Sequence, residues 1–289
     1  MKVVITGGNG FLAGYVIDAF VQEKYEIVIL ARKNGERKGI TYTLTDYTYQ
    51  DLIQKTKGCD AIVHLASTRK IYDNLSDYYP EINMTQALYD AAKDNGIGNI
   101  IYASSISVYS GGMLPYSEEQ LICPNSMYGL SKVIGEQIGL QYNAKYGMKI
   151  KNFRFAHIYG ANENNNYMIN VFFKKAFSKE QIIVNSKGIA KREFLYAKDA
   201  ASAILTGLSK SDLEGTFNIG SNDYLTNQEV GEIICSVMSP DMRVIVGCEL
   251  ETIHSSFMCN KNAMEKMGYF PKYTLKRATE EIQKQMITA

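Results

Sequence analysis

The chain has 289 residues, 46% hydrophobic and 21% charged, the balance of an ordinary globular protein with room for one large domain or two modest ones. Lys plus Arg number 31 and Asp plus Glu 30, a formal net charge of +1, so no basic surplus calls for nucleic acid as a partner. The five cysteines (Cys59, Cys123, Cys235, Cys248 and Cys259) form no Cys-x-x-Cys pair, and His64, His157 and His254 are scattered, which argues for free thiols and against a metal site.

The chain opens on an apolar strand, Val3-Val4-Ile5, with no charged n-region and apolar core ahead of it. No signal peptide is expected, no apolar run is long enough to cross a bilayer, and the expected location is the cytoplasm. The strand runs into Thr6-Gly7-Gly8-Asn9-Gly10, and then Phe11, Leu12, Tyr15, Val16, Ala19 and Phe20 recur with helical spacing. Strand, glycine turn and helix in this order are the context of a dinucleotide fingerprint. Gly7 allows the tight turn and Gly10 lets the backbone approach a pyrophosphate. The helix N-terminus offers N–H groups and partial positive charge, and the small Ala13 allows close packing on the strand.

A second strand follows at Glu26 to Leu30 and ends in Ala31-Arg32-Lys33. An NAD site usually places an acid here for the ribose 2′-hydroxyl, whereas an arginine suits the 2′-phosphate of NADP. Arg32 therefore makes NADP the first choice, with NAD the alternative. Asp46 is read either as an adenine contact or as a turn residue. Ala61 to Leu65 is the next strand, residues 81–95 a helix stopped by Asn95-Gly96, and Ile100 to Ala103 a strand that leads to Ser104-Ser105. Residues 127–146 form a helix stopped by Gly147, and a strand resumes at Lys149. This helix carries Tyr128 and Lys132, four residues apart and so on one face. An ammonium beside a phenol favours the phenolate, which can then act as a base nearer neutral pH.

Short strands alternating with helices predict an α/β fold with a doubly wound parallel sheet of the Rossmann kind. Residues 1–160 are assigned to the dinucleotide-binding part, and 197–220 are expected to rejoin it. Residues 161–196 and 221–289 make a smaller C-terminal α/β part for substrate, entered by the polar loop Ala161 to Tyr167.

Taken together, these motifs resemble the extended short-chain dehydrogenase/reductase family, the NAD-dependent epimerase/dehydratase group that acts largely on nucleotide sugars. The resemblance rests on the glycine turn, Asp60 to Ser67, Ser104 to Tyr109, the Tyr128/Lys132 pair, Arg154 to Gly160, and Arg192-Glu193-Phe194 with Asp199. It implies cofactor contacts from Gly7, Gly10, Phe11, Leu12, Arg32, Asp46, Leu65, Ala66, Tyr128 and Lys132. It also implies catalysis by Ser105, Tyr128 and Lys132, and substrate contacts from Ser105, His157 and Arg192. Where dehydratases of the family carry Asp-Glu after the catalytic hydroxyl, this chain has Ile106-Ser107, so dehydration is not expected. The expected activity is NAD(P)-dependent epimerisation of a nucleotide sugar by transient hydride transfer at a sugar carbon. The alternatives are an NADPH-dependent reductase of a keto-sugar or other carbonyl, and a non-catalytic NAD(P)-binding redox sensor. The resemblance further implies a homodimer through the helices at 81–95 and 127–146.

Overall fold

Val3 and Ile5 point to one face of the first strand and Val4 to the other, and all three are fully buried, as a strand covered on both sides requires. The computed structural model of the chain describes residues 1–68, 71–163, 165–184, 189–247 and 254–288. The first half runs β1 (Lys2–Thr6), α1 (Phe11–Gln22), β2 (Glu26–Ala31), the hairpin β3 (Glu36–Arg37) and β4 (Ile40–Thr41), and β5 (Thr43–Leu44). It continues with α2 (Tyr49–Lys55), β6 (Ala61–His64), α3 (Tyr79–Asp94), β7 (Asn99–Ser105), α4 (Met127–Tyr146) and β8 (Lys149–Phe155). The second half runs β9 (His157–Tyr159), α5 (Met168–Phe177), β10 (Ile183–Val184), β11 (Lys191–Tyr196), α6 (Ala197–Ser209) and β12 (Gly215–Ile219). It ends with β13 (Tyr224–Thr226), α7 (Asn227–Met238), β14 (Ile245–Val246) and α8 (Leu275–Thr288).

Seven strands form one parallel sheet in the order β12-β8-β7-β6-β1-β2-β5. The chain starts near the middle, winds outward through β2 and β5, then returns to wind the other way through β6, β7, β8 and β12, which is the doubly wound topology. Val3, Ile5, Ile29, Val63 and Ile101 pack against α1 and α6 on one face. Val4, Leu30, Ile62, Ile100 and Ile150 pack against α2, α3 and α4 on the other. Such a sheet gathers its functional groups beyond the carboxyl ends of its strands.

A second core joins α5, α7 and α8 to Tyr159, Phe194 and Tyr196. Here β9, β11 and β13 form a small sheet, and β10 pairs with β14. The chain leaves the main sheet directly after Phe155, since Ala156 N still bonds Ile219 O but His157–Tyr159 pair with β11. β9, grouped with the first part on sequence, is thus a strand of the second sheet. In the polar loop 161–167, Asn164 lies outside the described residues.

Helix α4 begins where Ser126 Oγ accepts a hydrogen bond from Gly129 N at 3.1 Å, and it stops at Gly147, whose φ of 66° is the left-handed cap a glycine adopts without strain. No helix among the described residues is long and apolar enough to cross a membrane, and none of their His, Cys, Asp and Glu side chains group to hold a metal. Cys59, Cys123, Cys235 and Cys259 are free thiols, and Cys248 lies outside the described residues.

Candidate active site

The turn after β1 is bare backbone. Gly7 has φ +74°, and a Cβ there would lie 2.8 Å from Ala66 N, so only glycine allows this conformation and this approach to the end of β6. Thr6 Oγ1 accepts from Leu65 N and Ala66 N, both at 3.1 Å, locking the two strand ends together. Gly10 caps α1 with no side-chain hydrogen bond, and no acid stands in the first helical turn. The helix N-terminus is therefore left with N–H donors that no side chain of its own satisfies, the arrangement a pyrophosphate fits. Phe11 and Leu12 start this helix, Phe11 packing edge-on against Tyr15 and Leu12 against the core.

Arg32 is exposed and directly follows β2. Asp46 is exposed, and its Oδ1 accepts from Thr48 N and Thr48 Oγ1, closing the turn that starts α2. The residue of this loop that reaches the glycine turn is Tyr47. It has φ 61°, and its hydroxyl accepts from Gly7 N at 3.1 Å and donates to Leu30 O at 3.2 Å.

Ser105 ends β7, and its Oγ accepts from Ser107 N at 3.1 Å, which turns the chain into one short 3₁₀ turn. The first turn of α4 docks on it so closely that a Cβ at Gly129 would stand 2.2 Å from Ser107 O. This contact brings the helix start, with Tyr128, to the Ser105 turn, and sequence reasoning passed it by. Ile106, where a dehydratase would need an acid, is buried in the core.

Lys132 is 2% exposed, and its Nζ lies 5.6 Å from the Tyr128 ring centre and 5.4 Å from that of Tyr102. It donates to Glu81 Oε1 and to Ser67 Oγ, both at 2.8 Å. Glu81, 4% exposed at the start of α3, also accepts from Ser67 Oγ at 3.0 Å and, on Oε2, from Thr68 N at 2.7 Å. Burial disfavours the charge on each partner. Yet the Glu81 carboxylate keeps the Lys132 ammonium protonated above its usual range, and Lys132 holds the Glu81 carboxyl below its own. Asn83, two residues further along α3, is exposed, and Glu81 makes the contact to Lys132.

Glu136, one turn beyond Lys132, is fully buried and grips Arg154 through two contacts, Oε1 to Nε at 2.9 Å and Oε2 to Nη2 at 2.6 Å. Ser104 donates its hydroxyl to the same carboxylate. Arg154 Nη1 donates to Tyr109 Oη, which donates to Asn218 Oδ1, so the network ties α4 to β8 and β12.

His157 and Arg192 sit on the neighbouring strands β9 and β11. Burial, and then the Arg192 charge, hold the imidazole of His157 down to about 4, so it is neutral at neutral pH. Glu193 points to the opposite face of β11 from Arg192, where its carboxylate accepts from Asn222 N and Met258 N.

His64 is buried at the end of β6, with Nδ1 2.8 Å from Thr6 Oγ1 and Nε2 3.0 Å from Thr85 Oγ1. Burial, with the Lys132 charge, holds it down to about 3, against 6.5 unperturbed. A histidine depressed on folding takes up its proton more readily in the unfolded chain. Its contribution is complete above about 6.5 and is lost as pH falls toward about 3. Urea unfolding is expected to show stability falling by up to roughly 1.4 kcal/mol per pH unit across that window. A His64→Gln variant is expected to flatten the slope, and an unchanged slope would show that His64 does not titrate there.

Comparison with known proteins agrees with this geometry. The family model described as "NAD dependent epimerase/dehydratase family" matches residues 3–220. The crystal structure of a UDP-N-acetylglucosamine 4-epimerase from Bacillus cereus is 43% identical, with each chain covering 99% of the other and a TM-score of 0.92. A dTDP-D-glucose 4,6-dehydratase of Mus musculus is 27% identical over 76% of this chain and 68% of its own length. A Thermus thermophilus UDP-glucose 4-epimerase, solved with NAD, shares the fold across the full length of both chains at 18% identity and a TM-score of 0.84. The glycine turn, the Tyr128/Lys132 helix and these matches together mean that the chain belongs to the NAD-dependent epimerase/dehydratase family.

Proposed function

We propose that this protein is an NAD(P)-dependent nucleotide-sugar epimerase that inverts a sugar carbon by transient hydride transfer, and that a UDP-N-acetylhexosamine is its substrate. The observation that carries this reading is the meeting of Tyr128, the buried Lys132 and the Ser105 turn at the carboxyl edge of the sheet, beside the uncovered helix N-terminus. The Bacillus cereus relative supports the choice of sugar nucleotide. Ile106, which cannot donate a proton, supports epimerase over dehydratase.

Gly7, Gly10, Leu65 and Ala66 would hold the dinucleotide through their backbone, and Phe11 and Leu12 lie on the helix whose N-terminus would receive its phosphates. The bound nicotinamide supplies a reversible hydride acceptor. Tyr128 Oη takes the proton from the sugar hydroxyl and later returns it, and Ser105 Oγ donates to the same oxygen as charge develops there. Lys132 would hold the ribose beside Tyr128. Arg192 binds the substrate diphosphate as a planar fork, and His157 contacts the substrate as a neutral donor or acceptor. The C-terminal part, residues 161–196 and 221–289, forms the substrate side. The groove between α3 and α4, lined by Val133, Ile134, Ile138 and Tyr142, supports a homodimer through these helices. The cytoplasm is the compartment this reading assigns.

For the cofactor we infer a preference for NADP over NAD from Arg32, although the Thermus thermophilus relative was solved with NAD. Thermal shifts with each dinucleotide check this: NADP is expected to raise the melting temperature more, and Arg32→Glu to reverse the order. An equal response of both proteins to both cofactors would remove the role given to Arg32. The same arginine favours the second reading, a keto-sugar reductase. Incubation with UDP-N-acetylglucosamine and added NADP⁺ is expected to yield the second epimer with no net formation of NADPH. NADPH formed one for one with a keto-sugar product would mark the reductase, running in reverse, instead.

A further inference from the structure

The buried acid on Lys132 changes what the amine can do. A lone ammonium within about 4–6 Å of a phenol favours its ionised form by about 1–3 pH units. Here Glu81 Oε1 lies 2.8 Å from Lys132 Nζ, and both side chains are almost wholly buried, so solvent screens neither charge. We propose that Glu81 is a positioning residue of the catalytic centre: its carboxylate holds the Lys132 ammonium in place and offsets its charge, so that Tyr128 works beside an ion pair rather than beside a lone cation. The proposal rests on the catalytic roles given above to Tyr128 and Lys132.

The groups around the amine leave Glu81 as the partner that sets its charge balance. From β6, His64 faces it as a neutral imidazole, hydrogen-bonded on both nitrogens. From the loop after β6, Ser67 contributes an uncharged hydroxyl. From β7, Tyr102 is buried, and burial keeps its phenol protonated. From the turn before α3, Tyr78 packs its ring 6.4 Å from that of Tyr128. On α4 itself, the nearest other acid, Glu136, is committed to Arg154. The position of Glu81 is also fixed by its backbone: Thr85 Oγ1 donates to Glu81 O at 2.9 Å and lies 3.0 Å from His64 Nε2. Through Thr68 N the carboxylate also anchors the loop that follows Leu65 and Ala66.

The test compares wild type with Glu81→Gln, which keeps the side-chain length and removes the charge. The acid limb of kcat/KM against pH is expected to move to lower pH by about one unit. In the free protein, the near-ultraviolet phenolate signal that disappears in the matching Tyr128→Phe background is expected to move the same way. Glu81→Asp retains the charge and is expected to keep the limb in place while lowering kcat. Glu81→Asn serves as a second neutral variant, with the same expected shift, should the glutamine protein fail to fold. A limb and a phenolate signal that stay put, or move to higher pH, would reduce Glu81 to a structural role and overturn the proposal. The phenolate titration uses neither sugar nor dinucleotide. It therefore judges Glu81 even if the epimerase reading itself fails for want of product.

Discussion

Tyr128→Phe is expected to lower kcat for epimerisation by about 10³-fold, within the range for losing a general acid–base group, and to leave the melting temperature unchanged. The substitution removes one oxygen. The ring keeps its packing beside Tyr78 and under Lys132, and Gly129 still docks the helix on the Ser107 carbonyl. Dinucleotide binding, measured by thermal shift, is expected to persist, because the glycine turn and the α1 N-terminus are untouched. This combination separates a proton-transfer role from a packing role. A merely structural tyrosine would change stability and activity together, and a loss of less than about tenfold in kcat would remove Tyr128 from the chemistry.

Glu136→Leu is expected to cost about 3–5 kcal/mol of stability, a large share of the roughly 5–15 kcal/mol that holds a domain together. The reason lies with the partner left behind. Arg154 is 3% exposed, and without the carboxylate its guanidinium would be enclosed beside the Tyr109 hydroxyl with no counter-charge. Replacing both residues, Glu136→Leu with Arg154→Met, is expected to recover most of the loss, because paired apolar side chains avoid the desolvation that the ion pair must offset. Urea midpoints of the two singles and the double give the coupling directly. A single variant within about 1 kcal/mol of wild type would mean that water or another side chain reaches the arginine.

These two sites also show where the sequence was readable and where it was not. The strands, the glycine turn and the limits of α4 are local signals. Gly7 needs its positive φ, Ser126 caps its own helix, and Gly147 closes it, so each acts within a few residues of where it stands. Tyr128 and Lys132 share a face for the same local reason. What pairs with that face is not local. Lys132 and Glu136 are four residues apart on one helix, the spacing of a surface ion pair, yet each pairs with a residue elsewhere, Glu81 for one and Arg154 for the other. Folding of β6, β7 and β8 against α3 and α4 decides this, because only the assembled layers bury the four charges and fix who meets whom. A fourfold spacing of charge along the same buried face as Tyr128 was the one hint available. Glu81 and Asn83 both begin α3, and only the helix rotation separates the inward residue from the outward one.

Asp46 and Tyr47 make the same point on a smaller scale. The aspartate is the residue type that draws attention beside a nucleotide, yet it spends its carboxylate on a turn. The neighbouring tyrosine, held at φ 61°, reaches back to the glycine turn, and no spacing rule announces a contact between residues 40 apart in sequence.

The central claim is that hydride leaves and returns to the same sugar carbon on this protein. The most direct measurement supplies a UDP-N-acetylhexosamine carrying deuterium at the carbon that inverts, with trace cofactor, and follows the label by mass spectrometry. Both epimers are expected to retain the deuterium, with no net build-up of NADPH. Loss of the label to solvent, or its transfer to the cofactor with a keto-sugar as the product, would contradict it.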